Sequence, residues 1–461
     1  MLAPLQVLDQ LKVSLAEGIG RLPLNGEDGM VSLLLGLPRV PTSLPQRVGP
    51  HFHFRHVHRD DLRAGYGIAA EWSTEGPARL EQLAESARGL RAVWERIDPD
   101  ETGFDAFAML GFAATVDAAP MIEDHLPNAL FWVPEVGIRS SGGSAVLVLS
   151  ARRPAQASAL LQRWSGLLDE LIPSLYQPVD GPRMPADLRR EFAEPDRAGW
   201  AELVKAALAQ IHQGALQKVV LSRRVDVTGT RCFDVNRLLG ALSCLFPSCQ
   251  IVSLRRNGST FVAATPERLL SQHGRAIEVD AIAGTAGRDQ DVDADTALAE
   301  ALCTSDKNLR EHQFVIDAIR EALQPCCARI EAPEQPQLMQ LSNAQHLWSP
   351  IRAQADEAVD LFELAARLHP TPATNGQPRH SASGWLQAGE PFQRGWYTGA
   401  AGTLEPDLSG ELWVLLRCAR LCGQRAELYA GAGIVAGSDP GTEWEETEAK
   451  LSAMLSALQY A

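Results

Sequence analysis

Strand-like and helical runs follow one another in irregular order between residues 197 and 461, and that order restricts the fold more than any other feature. Residues 201–214 carry Leu203, Ala207, Leu208 and Ile211 at helical spacing and end on Gly214. Residues 218–225 then read as a strand, and 260–265 as a second one, halted by Pro266. A helix follows within 301–326, with Leu309, Ile316, Ile319 and Leu323 along one stripe. Residues 410–417 and 427–435 read as neighbouring strands joined by a turn near Gly423. The closing segment opens with a capping-box pattern at Thr442-Glu-Trp-Glu445 and continues with Leu451, Met454, Leu455 and Leu458 at helical spacing. A doubly wound fold needs regular alternation of strand and helix. The expectation is therefore a mixed α/β chain of α+β type with largely antiparallel sheets.

Residues 1–190 carry weaker signals. Arg152-Arg153-Pro154 and the stretch Gln177-Pro-Val-Asp-Gly-Pro182 punctuate them, the latter as a linker or long loop. Histidines recur at His51, His53, His56 and His58. Alternate strand positions share a face, which suits metal ligation, but no carboxylate or cysteine completes a spaced site. An exposed polar strand edge is the simpler expectation.

Net charge narrows the partners. With 42 Lys+Arg against 57 Asp+Glu the chain carries −15, which disfavours nucleic acid and anionic membrane surfaces as partners. An anionic substrate would need local Arg, Lys or a cation. The eight cysteines form no CxxC pair and are too sparse for a disulfide scaffold. Cys418 and Cys422 sit in an apolar strand-like stretch that suits buried thiols better than a metal. The first residues lack a basic region followed by an apolar core, and no run of 18 apolar residues occurs. A soluble, cytoplasmic protein with no membrane partner is expected.

Several residue groups could carry chemistry. Glu443, Glu446 and Lys450 share a helix face, as a solvated stripe with a Glu446–Lys450 pair or as part of a site. Glu311 flanks the apolar stripe of the earlier helix. Two carboxylates from two helices suit a magnesium ion whose shell is completed by substrate. The run Tyr429-Ala-Gly-Ala-Gly-Ile-Val-Ala-Gly437 has GxGxxxG spacing, but no βαβ array surrounds it as dinucleotide binding requires. Its glycines either let backbone approach an anion or permit tight packing. Lys218 opens a strand of Val, Val and Leu, where desolvation disfavours the ammonium form and makes a general base. Glu267, after a strand and a proline, would keep its proton in apolar surroundings. Such a base and acid form the pairing that acid–base chemistry wants; a lysine snorkelling from a strand end and a solvated turn glutamate are the alternative.

Eight motifs in fixed order bring these residues together: Lys218-Val-Val-Leu-Ser-Arg, Ala264-Thr-Pro-Glu-Arg-Leu269, Ala283-Gly-Thr-Ala-Gly-Arg288, Ser305-Asp-Lys-Asn-Leu-Arg-Glu-His312, Leu368-His-Pro-Thr-Pro-Ala373, Arg394-Gly-Trp-Tyr-Thr-Gly399, Ala430-Gly-Ala-Gly-Ile-Val435 and Glu443-x-x-Glu446-x-x-x-Lys450. The set resembles the chorismate-utilising enzymes, densely from about residue 200 onward. Residues 191–461 are accordingly expected to be the chorismate-binding catalytic region and 1–190 the N-terminal region of the same fold. That fold consists of two largely antiparallel sheets packed together, helices outside and the active site in the cleft. Within the family, water-using members carry a lysine at the Lys218 position, and this chain has it. Ala283 stands where aminodeoxychorismate synthases place a nucleophilic lysine. The segment 368–373 is more similar to isochorismate synthases than to anthranilate synthases.

The resemblance thus implies a Mg²⁺-dependent isochorismate synthase, an isomerase acting on chorismate in a salicylate, siderophore or menaquinone branch. Salicylate synthase, which also eliminates pyruvate, and a non-catalytic chorismate-binding relative are the alternatives. Lys218 would be the base and Glu267 the acid; Glu311 and Glu446 would hold Mg²⁺, with Glu443 behind them. Gly284 and Thr285 would bind the ring carboxylate, and Arg417, Tyr397, Lys450 and the Gly431 backbone the enolpyruvyl carboxylate. His346 and Ala373 would lie beside the substrate. Two departures from the family pattern stand out. Asn308 replaces an acid that some relatives carry, and Thr374-Asn375 replaces smaller or more apolar residues along the pocket wall.

Overall fold

A computed structural model describes residues 4–45, 49–116, 126–177, 184–341 and 344–461. Residues 178–182 of the expected linker lie outside them. Two sheets form the framework. One runs Leu188–Glu194, Lys218–Gly229, Arg425–Val435, Cys418–Cys422, Ser259–Thr265, Gln250–Arg256, His51–His56, Asp61–Tyr66, Val136–Ser141, Ser144–Arg153, Gly29–Leu37, Trp94–Ile97. The other runs Cys327–Glu331, Ala344–Ala355, Ala276–Gly287, Arg268–His273, Gly410–Val414, Ala400–Leu404, Ala108–Phe112, Ala129–Val133, Ala70–Thr74. Among the described residues every pairing is antiparallel except that of Gly29–Leu37 with Trp94–Ile97. Both sheets draw strands from either side of residue 190, and strand Leu188–Glu194 straddles that position.

The main core lies where the sheets meet. Phe52, Phe54, Val252 and Phe261 of the first sheet join one apolar cluster with Leu110, Phe131, Leu270 and Val279 of the second. Helices cover the rest. Pro4–Ile19 and Ala157–Leu175 bury their apolar stripes on one half of the first sheet, Val235–Leu245 and Pro440–Leu458 on the other. Asp306–Leu323 packs on the second sheet. Its start is set by Ser305, whose side chain accepts the Asn308 N–H.

Three expectations need correction. The histidine segment is not a strand edge: His51–His56 lies between Gln250–Arg256 and Asp61–Tyr66, and His51, His53 and His56 are buried. Its alternating Phe and His residues bury both faces, and His53 Nε2 meets the Tyr66 hydroxyl at 2.9 Å. Residues 410–414 and 425–435 are not neighbours. They lie in different sheets, and Gly423 instead turns the hairpin of Cys418–Cys422 with Arg425–Val435. The last helix begins at Pro440, because Asp439 and not Thr442 is its cap, accepting the Thr442 N–H. Among the described residues no helix is long and apolar enough to cross a membrane.

Candidate active site

One cleft gathers nearly all the chemistry-bearing residues singled out in the sequence. Lys218, Glu267, Gly284, Thr285, Glu311, His346, Ala373, Tyr397, Arg417, Gly431, Glu446 and Lys450 all line it. Glu443 does not; it is buried behind Glu446 on the same helix, with Lys307 Nζ 3.7 Å from its Oε1.

The floor follows from strand periodicity. Lys218–Gly229 pairs with Arg425–Val435 so that Val220 faces Gly433 and Ser222 faces Gly431. Side chains on alternate positions share a face, and the two glycines keep that face open. A Cβ on Gly433 would lie 3.0 Å from Glu311 Oε1 and 3.0 Å from Lys218 Cε. One on Gly431 would lie 2.6 Å from the Leu221 carbonyl and 2.8 Å from the Tyr397 hydroxyl. Gly431 and Gly433 therefore meet a clearance requirement, whereas Gly437 has open space around it and a φ of 88°.

Two lysine–glutamate pairs sit in this opening. Lys218, 1% exposed, places Nζ 2.6 Å from Glu311 Oε1. Lys450 Nζ donates to Glu446 Oε1 at 2.7 Å and to the Gly431 carbonyl at 2.9 Å. Burial pushes the Glu311 carboxyl up, but Lys218 and Lys450 outweigh it and hold the group below the ordinary carboxylate range. Burial, helped by Glu446 and Glu311, moves Glu443 the other way.

Glu267 contrasts with them. It lies in the two-residue crossing from strand Ser259–Thr265 to strand Arg268–His273, which belongs to the other sheet. That position buries it to 5% exposure, so it is not the solvated turn glutamate of the alternative. Burial, and then the nearby Asp280 carboxylate, push its pKa up to about 8. At neutral pH it is a protonated acid facing the cleft.

Across the cleft, Arg417 has a backbone φ of 47° and is nearly buried. Its Nη2 donates to His346 Nε2 at 3.1 Å, while Nη1 is buried with no hydrogen-bond partner. Among the described residues no carboxylate pairs with this guanidinium, which therefore has unspent capacity for a planar anion. His346 Nδ1 lies 3.1 Å from Thr285 Oγ1. Thr285 follows Gly284, whose φ of 78° accompanies a register shift in strand Ala276–Gly287 and turns this segment into the cleft. The Tyr397 ring stacks on Tyr429 at 5.4 Å.

Thr398 also lines the cleft and carries no signal of its own in the sequence. Thr398 has φ 61°, rare for a β-branched residue, and is held by the His369 imidazole on its carbonyl at 2.8 Å. Thr374 lines the cleft, whereas Asn375 is turned away, its Nδ2 donating to the Arg379 carbonyl at 3.0 Å.

The donor set fits a hard divalent cation. Glu311 and Glu446 converge on one cleft, with the Glu443 carboxyl behind them raised by burial and then by their charge. Among the described residues no three His, Cys, Asp or Glu side chains converge closely enough to cage an ion by themselves. Mg²⁺ is commonly bound through one or two carboxylates plus water and substrate oxygens, so this arrangement suits it.

Comparison with known proteins agrees with the geometry. A family model described as chorismate binding enzyme matches residues 37–459. The chain is 31% identical to isochorismate synthase MenF of Bacillus subtilis over 338 residues, covering 73% of this chain and 70% of that protein. It is 35% identical to the salicylate biosynthesis isochorismate synthase of Pseudomonas aeruginosa over 320 residues, 68% of this chain and 65% of the relative. The solved structure of MenF, the menaquinone-specific isochorismate synthase of Escherichia coli, superposes with a TM-score of 0.79 at 26% identity, covering 97% of this chain and 99% of that one.

Proposed function

The chain belongs to the chorismate-binding enzyme family, and we propose that it is a magnesium-dependent isochorismate synthase. The observation that carries this reading is the pairing of a buried lysine with a buried, protonated glutamate in one cleft that also offers a guanidinium with no carboxylate partner among the described residues. Chorismate is a dianion with a hydroxyl at C4. Arg417 and Lys450 face one carboxylate, and Gly284 and Thr285 the other. Tyr397 and the Gly431 backbone complete the grip on the first, and Ala373 leaves room beside the ring. In an acidic chain these local cations are what admit such a substrate.

Lys218 acts as the base, taking a proton from water as the water oxygen bonds to C2. The ring double bonds shift, and the C4–O bond breaks as Glu267 gives its proton to the departing hydroxyl. One water is consumed and one released, so the net reaction is an isomerisation. Proton exchange with solvent then restores both residues. Glu311 and Glu446 would hold Mg²⁺, with Glu443 behind them, and the ion supplies positive charge to the ring carboxylate. A solved structure described as menaquinone-specific and a relative named for salicylate biosynthesis both match, which supports a reading at the level of isochorismate and not of one branch. The test is a product assay of the purified chain with chorismate, with Mg²⁺ or with EDTA. Isochorismate formed only with Mg²⁺ is expected; salicylate with pyruvate, or no turnover, would overturn the reading.

A further inference from the structure

We infer that His346 is a positioning residue, locked as the neutral Nδ1–H tautomer so that it aims Arg417 and Thr285 at the substrate's carboxylates. The inference rests on the proposed function for the identity of the ligand, but the tautomer follows from geometry alone. His346 and Thr285 are directly opposite one another on strands Ala344–Ala355 and Ala276–Gly287. The imidazole has Arg417 Nη2 at 3.1 Å from Nε2 and Thr285 Oγ1 at 3.1 Å from Nδ1, and the Gly284 backbone also hydrogen-bonds the ring.

A guanidinium has donors and no acceptor, so Nε2 must accept. A neutral imidazole that accepts on Nε2 carries its proton on Nδ1, and that proton goes to Thr285 Oγ1. The threonine oxygen is then occupied as an acceptor, and its own hydroxyl proton is left to donate into the cleft. On the other side the imidazole pins Arg417 through Nη2, and so fixes a guanidinium that lines the cleft with no carboxylate partner among the described residues. Both donors line the cleft, and the imidazole between them is 7% exposed. Burial, then the charges of Arg417 and Lys450, push its pKa down to about 3, so the ring stays neutral while the reaction runs. A histidine in an active site is usually suspected of moving protons. Here it is wedged between a permanent cation and a hydroxyl, and its work is to orient them.

The test has two parts. Nitrogen-15 NMR of histidine-labelled protein, with His346→Gln used to assign the signal, reads the tautomer without substrate. The expected result is an Nδ1–H imidazole that does not titrate between about pH 5 and about pH 9. A proton on Nε2, or a titration within that range, would overturn the inference. Kinetics supply the second part, once wild-type turnover of chorismate has established the reaction. Glutamine can accept with Oε1 and donate with Nε2, so His346→Gln should restore most of the KM that His346→Leu loses. The Leu variant leaves two buried polar groups unmatched, and its KM should rise by about tenfold or more with a smaller change in kcat. An unchanged KM in a folded Leu variant would sink the positioning role. Loss of kcat in both variants, together with a missing limb of the pH profile, would show a proton-transfer role instead. Failure of the wild type to turn over chorismate would count against the substrate and leave the NMR result standing.

Discussion

Glu267 and Arg417 occupy matching places in the fold, each at a crossing where the chain passes from one sheet to the other. The two crossings are tied together by backbone. The Val414 N–H donates to the Glu267 carbonyl at 3.0 Å, and the Ala264 N–H donates to the Arg417 carbonyl at 3.2 Å. The acid and the anion-binding guanidinium are therefore mounted on one rigid junction, and the cleft opens where the sheets separate around it.

The acid sets a pH limit. Because burial and Asp280 raise Glu267 to about 8, kcat/KM should fall as pH rises through about 8, where the proton it must donate is lost. Glu267→Gln should lower kcat by about 10²–10⁴-fold with little change in substrate affinity. Stability gives an independent check. The folded pKa lies above the ordinary value of 4.5, so the stability Glu267 contributes is complete below about 4.5 and is lost as pH rises to about 8. The melting temperature of the wild type relative to Glu267→Gln should decline over that window, and a flat difference would show that Glu267 is not held protonated.

Removing the base should stop chemistry and spare binding. Lys218→Ala is expected to cut turnover by about 10²–10⁴-fold while Mg²⁺-dependent chorismate binding, followed by calorimetry, persists. Retained turnover would exclude Lys218 as the base.

Arg417→Ala should act mainly on affinity. Charge-assisted hydrogen bonds contribute about 1.5–3 kcal/mol, so KM should rise by about tenfold to about a hundredfold. An unchanged KM would place the carboxylate elsewhere.

The two floor glycines should differ. A Cβ on Gly431 meets the Leu221 carbonyl at 2.6 Å, so Gly431→Ala must move backbone and should cost about 1–3 kcal/mol of stability. On Gly433 the obstacles are the ends of Glu311 and Lys218, at 3.0 Å each, which can shift. Gly433→Ala should therefore keep its melting temperature and lose activity. Thermal melts beside initial rates distinguish the two.

Much of the site was legible because its residues sit in short motifs whose local form is simple. Lys218 opens an apolar strand, Glu267 follows a strand and a proline, and Glu446 and Lys450 are four apart on a helix. What escaped depends on contacts distant in sequence. His51, His53 and His56 look like a polar edge, and only the strands on either side turn them into core. The end of the strand at Val414 is unmarked by glycine or proline, because Arg417 itself adopts the positive φ that lets the chain change sheets. Asp439 and Thr442 both suit a helix cap, and the choice falls to Asp439, one residue before a proline that fits the first turn. The tautomer of His346 depends on two strands and a crossing that are distant in sequence, and no spacing encodes it.

The most direct test of the account is to run the reaction in oxygen-18 water and locate the label by mass spectrometry. Attack of solvent water at C2, with Lys218 as base and Glu267 releasing the C4 hydroxyl, predicts one heavy oxygen in isochorismate, at the C2 hydroxyl. Isochorismate that forms without solvent label would mean the original hydroxyl is carried from C4 to C2, and would contradict the roles assigned to both residues.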